Sequence, residues 1–226
     1  VASIEKQNKV VYDEIQREAI CKAGSCKITV LTGGPGTGKT FTTLGMISFY
    51  RKLGAKILLA APTGRAAKRM SELTGMEAKT IHRLLEFNPS KGYAFNEDKP
   101  LKCDVLILDE VSMIDLILMY NLLKAVPDKA IIILVGDVDQ LPSVGAGNVL
   151  KDIIDSAAVE VVRLTTVFRQ ARGSMIITNA HRVNQGQFLQ YKGSINRDFF
   201  FMEQEDPDQA AQSIVELVTQ RLPKYY

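Results

Sequence analysis

The sequence predicts an α/β chain, a three-layer αβα architecture with a mainly parallel sheet covered by helices on both faces. Three observations predict it. Apolar, β-prone runs recur along the 226 residues. Several of them are apolar without alternation, the pattern of strands buried on both sides. Amphipathic segments separate them at the spacing of βα units, which winds successive parallel strands with helices on either face.

The strands are "KITVLT" (27–32), "KILLAA" (56–61), "DVLILDE" (104–110), "AIIILVG" (130–136) and "VEVVRLT" (159–165). Helical patterns between them are "TFTTLGMISFYRKLG", stopped by Gly54, then "GRAAKRMSEL", "LILMYNLLKAV" and "NVLKDIIDS". Residues 88–103, "NPSKGYAFNEDKPLKC", interrupt the rhythm. Turn-forming residues flank Tyr93 and Phe95 there, which suggests a small inserted β-hairpin, with a solvated connector as the other reading. After Arg172 a helix "SMIITNAHRVNQG" is expected with Ser174 as N-cap and Gly186 as its stop. A strand-like "FFFMEQE" follows, then a last helix capped by Asp206, with Pro207 first and an apolar stripe at Ala210, Ile214, Leu217 and Val218.

Composition narrows the class. Apolar residues make up 46% and charged residues 23%, the balance of an ordinary globular protein. No apolar run approaches the length that spans a bilayer, so no membrane association is expected. A net charge of +3 is too small to argue for nucleic acid by itself. Cys21, Cys26 and Cys103 form no C-x-x-C pair, which speaks against disulfides or structural zinc and for a reducing, cytoplasmic setting. The opening "VASIEKQNKV" has no initiator Met, basic leader or signal core, and reads as a cut inside a longer chain.

"GGPGTGKT", Gly33 to Thr40, carries the first chemistry. It matches G-x-x-x-x-G-K-[ST], with a strand before it and a helix after it. Backbone N–H groups crowd round a phosphate only where side chains are absent, and the helix N-terminus adds partial positive charge. Gly34, Pro35, Gly36, Thr37, Gly38, Lys39, Thr40 and Phe41 are therefore expected to line a nucleotide. Lys39 would reach the β- and γ-phosphates, and the Thr40 hydroxyl would take Mg²⁺. The alternative for this run is a glycine-rich strand–helix turn. "VLILDE" puts Asp109 and Glu110 at the carboxyl end of a buried strand, where such sheets bind ligands. Asp109 would hold the metal and Glu110 would polarise the attacking water. Alone, an acidic pair there is often a cap or turn; with the phosphate loop it points to ATP and Mg²⁺ as cofactors. No Asn-Lys-x-Asp base-reading motif of a GTPase is present.

With both boxes in place, the intervening segments resemble those of superfamily 1 helicases. "LILDEVSM" and "LVGDVDQLPSVGAG" resemble motifs II and III, and "LTTVFRQA" with "SMIITNAHRVNQG" resembles motif IV. "AAPTGRAAKRMSE" and "KTIHRLLEF" resemble the segments that touch single-stranded DNA. Together, over roughly residues 10 to 222, the chain is similar to the RecD-like helicases, relatives of the α subunit of exodeoxyribonuclease V. The resemblance implies a P-loop NTPase fold of the RecA-like kind and an ATP-dependent DNA helicase moving 5′→3′ in repair and recombination.

It also implies residue roles. "VYDEIQREAI" resembles the upstream glutamine motif, which makes Gln16 the reader of the adenine edge. Gln140 would sit near the γ-phosphate, and Arg169 would place positive charge on the transferring phosphoryl group. Thr63, Arg65, Thr80 and His82 would contact DNA, with Ser143, Val144 and Asn148 in the loop after motif III. The inserted hairpin at 88–103 would be a pin that parts the duplex, presenting Tyr93 or Phe95 to a terminal base pair. Residues 1–171 would form the first motor lobe and 172–226 the truncated start of the second. Motifs V and VI are absent from this sequence. The partners implied are single-stranded DNA, a duplex junction, the second lobe and other repair subunits. Two alternatives stand beside this: a nucleotide-gated DNA-binding module without useful turnover, and another P-loop ATPase.

Overall fold

The computed structural model describes residues 1–166, 174–191 and 198–224. The chain divides into two compact units, Val1–Arg172 and Gly173–Tyr226.

In the first unit, strands β1 (Ile28–Gly33), β2 (Ile57–Ala61), β3 (Ala78–Thr80), β6 (Val105–Leu108), β7 (Ile131–Gly136) and β8 (Glu160–Leu164) form one sheet. A separate antiparallel pair, β4 (Phe87–Asn88) and β5 (Gly92–Tyr93), makes a hairpin. The sheet order is β3-β2-β6-β7-β1-β8, and every neighbouring pair runs parallel.

Side chains alternate between two cores, which explains strand sequences that show no alternation of polarity. Along β6, Val105 and Ile107 join one core while Leu106 and Leu108 join the other. The first core is closed by α1 (Ala2–Asn8), α2 (Glu14–Ser25), α3 (Lys39–Lys52) and α4 (Gly64–Thr74), through Ile4, Ile20, Met46 and Met70 among others. The second is closed by α5 (Ile81–Leu84), α6 (Leu116–Ala125) and α7 (Val149–Asp155), through Ile81, Leu122 and Leu150. This is the three-layer P-loop NTPase architecture expected from the sequence. All six parallel strands end at the same edge, so the segments after β1, β2, β6 and β7 gather there.

Local signals explain the helix ends. Asp13 caps α2, Asp115 caps α6, and Gly54, at φ +70°, lies just past the end of α3. The sequence patterns do not anticipate the short α1 and β3. Three residues, Ala78–Thr80, become a strand only because β2 offers its edge.

The inserted segment departs from expectation. Pairing is confined to residues 87–88 and 92–93, and the rest of 88–103 has turns and irregular backbone. Neither Tyr93 nor Phe95 stands out as an exposed tip. Both pack against the second core, because each ring removes more apolar surface from water there than at a solvated turn. The ring left 43% exposed is Phe87, just before the expected segment.

In the second unit a helix spans Met175–Asn184, with Ser174 accepting from the Ile177 N–H at 3.3 Å, and another spans Pro207–Glu216, capped by Asp206. "FFFMEQE" is not a strand. A strand needs a neighbour for its backbone groups, and residues 199–205 pair with none among the described residues. Phe201 stacks on Tyr191 instead, with ring centroids 5.1 Å apart. Ile214 and Val218 of the expected apolar stripe are exposed.

Candidate functional site

At the end of β1 the chain passes so close to β8 that a side chain at Gly33 would meet the Leu164 carbonyl oxygen at 2.6 Å. Gly38, at φ +87°, then turns the backbone into α3 and supplies no capping side chain. The first N–H groups of α3 thus have no side-chain acceptor and face outward, the arrangement that takes an anion. Thr37 ties the loop together by donating to the Gly34 carbonyl at 2.8 Å. Lys39 reaches back across the loop, its Nζ donating to the carbonyls of Gly33 at 2.5 Å and Gly34 at 3.2 Å. The Thr40 side chain is exposed beside it.

The strand carrying the acidic pair does not adjoin β1, because β7 lies between them. Asp109 follows β6, and its Oδ1 accepts the Glu110 N–H at 2.9 Å. Glu110 is one of four described non-glycine residues at positive φ, at +53°. Such a conformation persists only where surrounding structure imposes it, and it is concentrated at functional sites. Burial pushes the Asp109 carboxyl above its ordinary range, against the Glu110 N–H and the positive charges of Lys39 and Arg69. Glu110 is raised as well, by burial first and by the Asp109 charge second. Asp137, only 2% exposed at the end of β7, adds to that field.

Gln16 closes the other end. Its Oε1 accepts the Asp13 N–H at 3.1 Å while Asp13 accepts the Gln16 N–H at 2.8 Å, a capping box. The residue is 1% exposed, and its Nε2 is buried without a hydrogen-bond partner among the described residues. Phe41 packs on Tyr12, with centroids 4.7 Å apart, to wall this end.

These parts meet in one cleft of about 870 Å³, lined by Val11, Gln16, residues 34–41, Thr43, Arg69, Met70, Leu73, Thr74, Asp109, Glu110 and Gln140. That size suits a nucleotide. Every residue expected at the nucleotide is here except Arg169, which lies outside the described residues. One carboxylate and one hydroxyl beside a phosphate cradle also suit Mg²⁺, which keeps several waters and binds through few protein ligands.

The residues expected at DNA are spread more widely. Thr63 lies two residues past β2 and Thr80 ends the adjacent β3, and each caps the next helix, accepting from Ala66 N–H at 3.3 Å and Arg83 N–H at 3.2 Å. A hydroxyl used as an acceptor keeps its proton for a phosphate oxygen. Between α4 and β3 runs a groove of about 420 Å³ lined by Gly64, Ala67, Lys68, Glu77, Ala78, Lys79, Thr80 and Arg83, with Arg65 exposed next to Gly64. His82 instead joins the hairpin, 5.5 Å from the Phe87 ring and 6.2 Å from Tyr93. Ser143, Val144 and Asn148 line neither cleft nor groove. The Ser143 hydroxyl donates within its own loop to Gly145 and Gly147.

Sequence reasoning missed Arg69, Asp137, Lys68, Lys79 and Arg83. Arg69 and Lys68 sit side by side in "GRAAKRM", yet α4 turns Arg69 to the cleft and Lys68 to the groove. A helical projection of that segment separates these two faces.

With this geometry in hand, likeness to known proteins decides the family. The profile of the family described as "AAA domain" matches residues 16–146, which hold the loop, the acidic pair and Gln140. The chain belongs to that family. Relatives carry the similarity to RecD-like helicases across most of the sequence. The "ATP-dependent RecD2 DNA helicase" of Deinococcus radiodurans is 42% identical over 82% of this chain and 26% of its own length. The "RecBCD enzyme subunit RecD" of Mycobacterium tuberculosis is 38% identical over 87% of this chain and 39% of its own. The chain thus spans well under half of either relative. Among solved structures, the Pif1 helicase of Candida albicans aligns with a TM-score of 0.63 at 22% identity, over 79% of this chain and 45% of that one, and bears on the fold.

Proposed function

We propose that this chain is the ATP-binding motor lobe of a DNA helicase, coupling ATP hydrolysis to movement along single-stranded DNA. One observation carries it: a single cleft joins the phosphate loop, the Asp109–Glu110 pair and the unpartnered Nε2 of Gln16. A cradle alone would bind phosphate. The added amide donor suits the base, and the acidic pair suits the metal and the attacking water.

In this reading Gln16 donates to an acceptor on the adenine edge, and the loop N–H groups and Lys39 hold the phosphates. Thr40 and Asp109 would hold Mg²⁺, which when bound neutralises phosphate charge and orients the γ-phosphoryl group. Glu110, its carboxyl raised by burial, accepts a proton from water more readily than an exposed glutamate. Gln140 and Arg169 act at the γ-phosphate. The α4–β3 groove takes the DNA backbone through Thr63, Arg65, Thr80 and its cations, with His82, Ser143, Val144 and Asn148 touching the strand further along. The hairpin parts the duplex with Phe87 as its exposed ring. Residues 1–171 are the first lobe and 172–226 the start of a second, a division supported by the boundary between the two compact units. Movement is 5′→3′, in DNA repair and recombination, within the cytoplasm.

Titration calorimetry tests the reading. Mg²⁺–ATP should bind this chain, and Lys39→Ala should abolish measurable binding. ATP hydrolysis by the wild-type chain should rise on adding single-stranded DNA. Unchanged affinity in Lys39→Ala would sink the assignment.

A further inference from the structure

The nucleotide cleft contains a second cation besides Lys39 that no motif announces. Arg69 lines it from α4, together with Asp109 and Glu110. Its guanidinium has no hydrogen-bond or ion-pair partner among the described residues. Its neighbour Lys68 pairs with Glu72 at 3.9 Å, and Arg17 pairs with Glu5 at 2.9 Å. Arg69 lines the cleft with both carboxylates and pairs with neither among the described residues, which leaves its donors open to a different anion.

Charge accounting points the same way. Asp109, Glu110 and the buried Asp137 put three carboxylates near the cleft, against Lys39 alone among the loop residues. A triphosphate keeps net negative charge with Mg²⁺ bound, so a further cation beside Lys39 and the Arg169 assigned to the γ-phosphate reduces the repulsion from these carboxylates. Arg69 is such a cation, in the cleft lining itself. A guanidinium also presents a planar fork of donors that matches phosphate oxygens.

We propose that Arg69 is a nucleotide-binding residue whose guanidinium engages the polyphosphate of the bound nucleoside triphosphate. The proposal rests on the nucleotide reading of the cleft. A further consequence follows from the fold. Arg69 sits on the same helix as Lys68 and Gly64, which line the groove, so α4 carries residues of both cleft and groove.

Competition binding with Mg²⁺–ATP, ADP and AMP separates the possibilities, using the wild-type chain, Arg69→Ala, Arg69→Lys and Lys39→Ala. Arg69 is exposed, so its truncation leaves the core intact. Arg69→Ala should weaken ATP by about tenfold (~1.4 kcal/mol) and leave AMP within about twofold, and Arg69→Lys should recover only part of the loss, since lysine keeps the charge but not the fork of donors. Equal loss for AMP and ATP would place the side chain at the base, ribose or α-phosphate and not on the β- and γ-phosphates, and would overturn the proposal. So would ATP affinity at the wild-type level in Arg69→Ala while Lys39→Ala abolishes binding, with the nucleotide reading intact. A wild-type chain that binds no Mg²⁺–ATP would overturn both.

Discussion

The side-chain carbonyl of Gln16 accepts the backbone N–H of Asp13 at 3.1 Å, so the other end of the amide, Nε2, must be the one that remains unpaired. The capping box does two jobs with one residue: it starts α2 and it fixes which atom of the amide is left free.

Glutamate separates those jobs. Gln16→Glu can still accept the Asp13 N–H, since glutamate serves equally in a capping box, but it offers an acceptor where Nε2 was a donor. At neutral pH the melting temperature should fall, because the new carboxylate is buried at a site only 1% exposed, and ATP affinity should fall by about 2- to 13-fold, the worth of one hydrogen bond of about 0.5–1.5 kcal/mol. Calorimetry and thermal melts read the two effects separately. Equal affinity in the variant would remove Gln16 from the base site.

Asp109 is predicted to cost stability. Burial raises both Asp109 and Glu110 from their ordinary values of 3.8 and 4.5. As pH rises past that range the unfolded chain releases these protons first, so the native state holds more of them. Stability is therefore full in acid and declines as pH climbs through the raised values. Asp109→Asn keeps the acceptor for the Glu110 N–H and removes the charge. Its melting temperature at neutral pH without nucleotide should exceed that of wild type, with a flatter pH profile and with hydrolysis lost. A lower melting temperature would show that the carboxylate is stabilising.

The groove cations should act through charge alone. Arg83→Ala and Lys68→Ala should each weaken single-stranded DNA of any sequence. Each phosphate left without its cation should reduce the slope of log affinity against log salt by about 0.7. ATP affinity measured without DNA should not move. An unchanged slope in both variants would place the DNA elsewhere.

Phe87 is the hairpin ring with most freedom to meet a base pair. Its ring lies 4.8 Å from Tyr93, which the core holds in place. In the longer protein that carries both lobes, Phe87→Ala should spare DNA-stimulated hydrolysis and slow strand separation, as base–aromatic stacking is worth about 1–3 kcal/mol. Tyr93→Ala should instead lower the melting temperature. Strand separation at the wild-type rate in Phe87→Ala would leave the hairpin as a connector.

Much of the fold and half of the site were legible in the sequence because their causes are local. Five strands were readable as apolar β-prone runs, and the helix starts at Ser174 and Asp206 as capping residues next to their helices. The phosphate cradle is eight consecutive residues, and the acidic pair directly follows its strand. The DNA segments were legible only through resemblance, since a capping threonine and a phosphate-binding threonine look alike in sequence.

The tertiary structure decided what depends on distant neighbours. Parallel strands are joined through helices, so their order in the sheet is set by which buried faces complement one another. That order puts β7 between β1 and β6, and brings the Asp137 charge within reach of Glu110. It let Ala78–Thr80 become a strand by lending it the edge of β2, while "FFFMEQE", with greater β-propensity, pairs with nothing among the described residues. Tyr93 and Phe95 left the tip of the insertion because the second core had room for them. Arg69 and Lys68, adjacent in sequence, serve different clefts because a helix turns successive side chains by about 100°, and only the packing of α4 on the sheet says which face meets the nucleotide.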